Sequence, residues 1–501
     1  MNRDFCFGFT SPDDRLPIGK SGYAYILNHP PPRHQPPQTL PAPPIFSRNT
    51  APHRYRPQTV LSTPLINRAR APHIPRTPPA KSKSPKLSQV NLKSKIPPRL
   101  QKYASFGVIP KLLLSPFALA TLCIFKLVGP FVRIEIHRVH DMRLGHLAVN
   151  TELTRLNNLI LFNKSGTRTL TIYYFGNKNP PNHYLVELWK RNLPYVSGHW
   201  GWLLEYCSHF YFFKLNSSKT STPNDVNGHL LYNLPPFLFS TQELKTGASF
   251  VNSVSRNEKF VCLNVRDRAY LDDLKKGRLT NHDYRDSKIN SYLEATETLA
   301  KLNYTVIRMG KVVEETLGSK NQDVIDYANN GMRSEFLDVY LGAHCAFSVS
   351  TGSGWDGIPT IFRRPMLWVN HLPIFDPSAI TLQIVIYPKN LVNKGSLTDL
   401  NLKTILDKNI LDCFNLRGYQ DAGVEIRDLS SEELVEAVTE MAQRVEGTFV
   451  ETPEQREMQA KLNHVLSTHP KLQPSPNYYP IRAQFASCFL SRYPNFLDGL
   501  D

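Results

Sequence analysis

Between Phe260 and Asn370 the sequence places arginines, glycines and hydroxyl side chains at the ends of short apolar runs, a combination suited to holding an anion. The run "FVCLNVRD" ends in Arg266 and Asp267, "YTVIRMG" contains Arg308, and "CAFSVSTGSG" ends in Thr351, Gly352, Ser353 and Gly354. Glycines after a buried strand let the backbone approach a ligand closely, and a helix starting near Trp355 aims its positive end at the same point. Guanidinium groups converging from separate strands neutralise phosphate, so a phosphate or diphosphate is the expected ligand. The segment "NHDYRDS" adds Arg285 and an acid, Asp283, to this edge. Arg333 precedes a further helix, on which Glu335 and Asp338 offer carboxylates to ribose hydroxyls. Solvated ion pairs and helix caps are the competing account of these charges. Neither a P-loop nor G-x-G-x-x-G occurs, which disfavours ATP hydrolysis and NAD chemistry.

A second group lies earlier, in "RLGHLA", where Arg143, Gly145 and His146 occupy a strand-to-helix loop. Imidazole titrates near neutral pH, so His146 is the first choice for a general base, with Asp267 and Asp283 next. His137 and His140 lack a cysteine or carboxylate at ligand spacing, and no metal site is expected. The seven cysteines form no C-x-x-C pair, and Cys262 and Cys345 read as core thiols of a protein in a reducing compartment.

The elements needed to position these residues form an α/β pattern. "FVRIEIHRV", a loop and "LAVNTELTRLNNLI" read as a strand followed by a helix, "TLTIYYFG" as a second strand, and "HYLVELWKRN" as a second helix. Residues 208–257 read as the tail of this half and a linker. In the second half, strands over 260–265, 304–309 and 345–350 alternate with helices, and Ser430 with Glu433 forms a capping box. The expected architecture is two Rossmann-like domains facing a cleft, residues 133–257 and 258–501.

Charge is unevenly spread. Residues 1–110 hold 17 lysines and arginines against three acids, a net +14 of the chain's +17, together with 21 of its 40 prolines. Such a segment is expected to be a disordered, basic, Pro-rich tail. The remainder is nearly neutral, so nucleic acid is not an expected partner of the folded part. Residues 111–132, "KLLLSPFALATLCIFKLVGPFV", are apolar but interrupted by Pro116, Lys126 and Gly129-Pro130. An interfacial helix fits better than a single-pass span, with an anionic membrane surface as partner. The expected location is the cytoplasmic face of a membrane.

Taken together, "RLGHLA", "CLNVRDRAYL", "HDYRDSKINSYLEATETLAKLNYTVIRMG", "NNGMRSEFLDVYLGAHCAFSVSTGSGWDGIPTIFRRPMLWVN" and "FLSRYPNFL" resemble a bacterial family of glycosyltransferases of surface-carbohydrate biosynthesis, over residues 112–498. The resemblance implies a GT-B arrangement with an acceptor-binding first domain, a donor-binding second domain and no obligatory metal or other cofactor. It also implies a nucleoside-diphosphate sugar as donor and a carbohydrate or lipid-linked acceptor. Gly357-Ile358-Pro359 is similar to the G-x-P turn of such donor domains; the usual glutamate before it is missing, and Asp356 is the nearest acid. In that scheme Arg266, Arg308 and the amides of Gly352 to Gly354 stabilise the departing diphosphate. The alternatives are a pyruvyl-type transferase acting on polysaccharide and a non-catalytic, basic-tailed adaptor for membrane or nucleic acid.

Overall fold

The computed structural model describes residues 108–165, 168–209, 224–225, 228–269, 280–376, 384–468 and 482–500. The expected basic tail lies outside them. Residues 108–501 fall in one compact unit.

The first half runs α1 (Val108–Val128), β1 (Val132–Arg138), a π-turn (His146–Asn150), α2 (Thr151–Ser165), β2 (Arg168–Tyr174), α3 (His183–Asn192), β3 (Tyr195–Val196) and α4 (Gly198–Ser208). Its three strands form a parallel sheet in sequence order. Asn182 caps α3 by accepting a hydrogen bond from the Leu185 amide. Pro116 does not interrupt α1, although it removes one backbone donor. The helix is held on the body instead, with Ala118 and Leu122 fully buried and Ser115 hydrogen-bonded to Cys207 of α4. No helix among the described residues is long and apolar enough to cross a membrane.

The stretch expected to be a linker contains a regular helix, α5 (Thr241–Val254), opened by a capping box of Ser240 and Glu243. Then follow β4 (Lys259–Asn264), α6 (Leu293–Lys301), β5 (Tyr304–Arg308), β6 (Val324–Ile325), α7 (Glu335–His344), β7 (Phe347–Ser350), α8 (Gly357–Ile361), β8 (Met366–His371) and β9 (Ile384–Pro388). After an antiparallel pair, β10 (Asn390–Asn393) with β11 (Val424–Arg427), come α9 (Ser431–Glu446) and β12 (Gln484–Phe485). Seven strands form one parallel sheet in the order β12-β9-β8-β7-β4-β5-β6. Alternation along β4 explains its coverage on both faces: Val261 and Leu263 enter one hydrophobic cluster, Phe260 and Cys262 another.

That second cluster runs through both halves of the chain. Leu147, Ala148, Leu185 and Trp189 from the first half pack with Cys262, Ile307, Leu341, Trp355 and Ile358 from the second. The second half also has a cluster of its own, from Val261 to Leu497, and Leu153, Leu156 and Leu230 form a small one in the first, so the shared cluster is the joint between the two halves. Polar contacts reinforce the joint. Glu152, fully buried in α2, pairs with Arg155 at 2.7 Å and with Arg363 after α8 at 2.6 Å, while Arg363 also donates to the Asn233 carbonyl. Gly247 of α5 lies against the Tyr340 ring of α7, where an added Cβ would overlap the ring. Gly247→Val is expected to lower stability by about 1–3 kcal/mol, the usual cost of overpacking, read as a lower midpoint in denaturant unfolding.

Candidate functional site

Parallel pairing puts the carboxyl ends of all seven strands on one edge of the sheet. Strand order reverses direction beside β4, whose neighbours are β5 on one side and β7 on the other. A crevice at such a reversal is where ligands bind open α/β sheets. Register brings Asn264 level with Ser350, and just beyond them the Arg266 amide donates to Thr351 Oγ1 at 2.9 Å. Arg266 and the Thr351–Gly354 loop are therefore neighbours because of strand pairing, far apart though they are in sequence.

The loop is organised differently from the sequence expectation. The amides of Gly352 to Gly354 were expected to be available to phosphate, yet the Gly352 amide donates to Ser350 Oγ at 3.2 Å and the Ser353 amide to Asp356 Oδ2 at 2.9 Å. Asp356 also accepts from Ser350 Oγ at 2.7 Å, and burial pushes its carboxyl up to about 6. It is thus the internal brace of the loop rather than a ribose contact. Gly352 has φ +80° and is the left-handed residue that turns the chain.

Positive charge reaches this loop from Arg285, whose guanidinium donates to the Gly352 carbonyl. Its Nε is buried with no hydrogen-bond partner, and no carboxylate lies within ion-pair distance among the described residues. Burial and the neighbouring Arg266 depress its pKa. Arg266 is itself compensated, with Nε 3.0 Å from Asp286. Beneath Gly352 lies His371, at the end of β8, a residue the sequence reading did not single out. It is fully buried, its ring centroid 4.4 Å from that of Trp368 with the planes tilted by 31°, and neither ring nitrogen has a hydrogen-bond partner. Burial holds its pKa down to about 4, against the pull of Asp376, whose carboxylate is 3.8 Å from Nε2.

The first half meets this loop directly. A Cβ on Gly145 would lie 3.3 Å from the Gly354 Cα, and one on Gly357 would lie 3.0 Å from the Gly145 Cα, so the two loops pack backbone to backbone with little room for a side chain at either position. His146 follows at the start of the π-turn, a local widening of the helix often found at functional sites. Its Nδ1 is 3.2 Å from Asn150 Oδ1, which assigns the proton to Nδ1 and leaves the Nε2 lone pair to accept one. Arg143 is exposed on the same loop.

Other expected site residues are committed elsewhere. Arg308 is fully buried and bonds the Glu315 carbonyl at 2.7 Å and Asp326 at 3.1 Å, so it braces the loop after β5 instead of facing a ligand. Arg333 pairs with Asp338, which also accepts from the Tyr327 hydroxyl; burial outweighs that arginine and raises Asp338 to about 6. Glu335 accepts from the His183 amide at 2.6 Å and so joins α7 to the start of α3. The three carboxylates proposed for ribose are thus all in structural use. Asp267 accepts from the Ala269 and Glu314 amides, at 3.0 and 2.9 Å, one on each carboxylate oxygen, and so ties together the loops after β4 and β5. Asp283 is partly exposed, and Asp286 donates its amide to the Asp283 carbonyl. No group of three or more side chains able to hold a metal occurs among the described residues.

No family model matches the chain, and no curated protein matches it. Solved structures similar to it include a glycosyl transferase family 9 protein from Veillonella parvula, at 9% identity and TM-score 0.37, over 62% of this chain and 97% of that one. An ADP-heptose LPS heptosyltransferase II from E. coli is similar at 12% identity and TM-score 0.29, over 57% and 97% of the two chains. The wall teichoic acid polymerase TagF follows at 11% identity and TM-score 0.21, over 53% and 80%. Likeness at this level carries no residue roles, and the functional reading rests on the geometry of this chain.

Proposed function

We propose that the chain is a glycosyltransferase that moves a sugar from a nucleoside-diphosphate donor to a carbohydrate or lipid-linked acceptor in surface-polysaccharide synthesis. The observation that carries this reading is Arg285, at the reversal point of a parallel sheet: like Arg308 and Arg333 it has a buried, unpartnered Nε, but those two meet Asp326 and Asp338, whereas Arg285 has no carboxylate in ion-pair reach among the described residues. Such a group is costly unless an anion completes it. In this mechanism His146 Nε2 takes the proton of the acceptor hydroxyl as that oxygen bonds the sugar carbon. The bond from that carbon to the diphosphate breaks with its electron pair remaining on the diphosphate oxygen, and Arg285 and Arg266 stabilise the negative charge that develops there. Cationic side chains then perform the electrostatic task, in a GT-B-like, metal-independent scheme.

Calorimetry of the chain with ADP, GDP, UDP and CDP tests the donor assignment. Arg285→Ala should weaken nucleoside-diphosphate binding by about 10- to 150-fold, the worth of a charge-assisted hydrogen bond. Arg266→Ala should cost less, because Asp286 already compensates that charge. Binding of phosphoenolpyruvate with none of the four nucleotides would favour a pyruvyl-type transferase instead.

The same reading sets the enzyme on the cytoplasmic face of a membrane. With Ala118 and Leu122 docked on the body, Phe117, Ile124, Leu127 and Phe131 are 57–79% exposed along one side of α1 and just after it. No acid occurs in α1, and the chain before it carries the +14 charge. Phe117→Asp combined with Ile124→Asp should reduce co-sedimentation with phosphatidylglycerol vesicles at least tenfold, since each buried side chain of this size contributes about 1.5–3 kcal/mol. Unchanged sedimentation would leave the basic tail as the sole attachment.

A further inference from the structure

His371 has no part in the mechanism above, and its position is unusual for a core histidine. The ring lies between two groups of opposite charge. Nε2 faces Asp376 at 3.8 Å, and Nδ1 lies under Gly352, 2.8 Å from where a Cβ would stand, on the side where the Arg285 guanidinium also packs. A neutral imidazole in this place offers one donor and one acceptor, and neither finds a partner. Buried polar atoms in this state are rare, and a bound water or ion or a catalytic role is among their explanations.

The charges around the ring explain the unfilled state. Arg285 is the uncompensated cation of the loop, while the carboxylates acting on it are Asp356 and Asp376. Arg266 is matched by Asp286. Asp376 and Arg285 are the charged groups that act on His371 itself, and they pull in opposite directions. A dianion or trianion placed on Arg285 would end this balance. The ring would then feel negative charge from both sides, Asp376 at Nε2 and, beyond Gly352 and the Arg285 guanidinium, the ligand on the Nδ1 side, and nearby opposite charge favours the protonated form. Imidazolium donates from both nitrogens, so a single proton would satisfy both unpartnered atoms.

We propose that His371 is a further anion-binding residue of this site, taking up a proton from solvent when a diphosphate group binds and supplying the cation that Asp376 orients. The proposal rests on the donor-site reading given above and deepens it. The ligand must be multiply charged to outweigh the Arg285 guanidinium beside the ring, and the donor-site reading makes that group a diphosphate. The proton comes from bulk water and returns there when the diphosphate leaves, so no other reactant is involved.

Proton linkage is measured by titrating the full chain with ADP, GDP, UDP and CDP in two non-phosphate buffers of different ionisation enthalpy, near neutral pH. The expected result is fractional proton uptake per ligand in the wild type, growing as the pH is lowered, and a loss of that uptake, with weaker binding, in His371→Gln. Any proton taken by the phosphate itself is common to both proteins and cancels in the comparison. Asp376→Asn, at a partly exposed carboxylate, should also reduce uptake, and it serves if His371→Gln does not fold. Binding by the wild type without proton uptake overturns the role of His371 while leaving the donor site intact. Uptake that persists in His371→Gln and disappears in Asp356→Asn assigns the proton to Asp356 and likewise overturns it. Failure of the wild type to bind any of the four removes the donor-site reading, and the proposal with it.

Discussion

Replacing His146 by alanine or asparagine is expected to lower transferase turnover by roughly 100- to 10,000-fold, the contribution of a positioned general base, with donor affinity little changed. Three features single out this histidine. It begins the π-turn directly after Gly145, which touches the Gly354 backbone, so its loop abuts the anion-binding edge. Asn150 accepts from Nδ1 at 3.2 Å and so leaves Nε2 as the basic atom. The sequence alternative Asp267 has both carboxylate oxygens engaged by backbone amides. Asn150→Leu provides a companion measurement: it frees the tautomer without removing the base, and turnover should fall less than in His146→Ala. Loss of donor binding in His146→Ala would make the residue a ligand contact, and a normal rate would remove it from the chemistry and leave Asp283 to be tested.

The second large effect is expected at Gly352. A side chain there meets two penalties at once. The backbone has φ +80°, which β-branched residues avoid, and a Cβ would stand 2.8 Å from His371 Nδ1 and 3.0 Å from the Arg285 terminal nitrogen. Gly352→Val should therefore displace Arg285 and abolish measurable nucleoside-diphosphate binding in calorimetry. Gly354→Val is the informative contrast. A Cβ at Gly354 has only ordinary contacts, the nearest being the Gly145 amide nitrogen at 3.4 Å. Its valine γ carbons would press on the meeting point of the two halves, so turnover should suffer more than donor affinity. Equal loss of binding in both variants would mean that the loop backbone itself holds the ligand.

Much of the framework was legible before any coordinates. β4, β5 and β7 are runs of Val, Ile, Phe and Cys whose composition requires burial on both faces, and the Ser430 box marks the start of α9 from two residues three apart. The π-turn that begins at His146 and then α2 follow β1 in the order the pattern implied. Less legible is the stretch before β4, where the capping box of Ser240 and Glu243 is flanked by aromatic segments with no regular period. That box was the available signal for α5.

By itself, then, the sequence determined that this is an α/β protein with parallel strands, and that arginines, glycines and a histidine gather where those strands end. Hydrophobic period and chain order decide both, because burial depends on local composition and a parallel crossover returns every strand to the same edge. Only the tertiary structure decided which cations are unpaired. Arg308, Arg333 and Arg266 look alike in sequence with Arg285, yet the first three meet Asp326, Asp338 and Asp286. His371 gave no signal, since a histidine ending a strand is usually solvated; its burial under Gly352 depends on β8 lying beside β7. Pairing of charges is set by side-chain positions to within a few ångströms, and those positions follow from strand register and packing between distant segments, which no local pattern in the chain encodes.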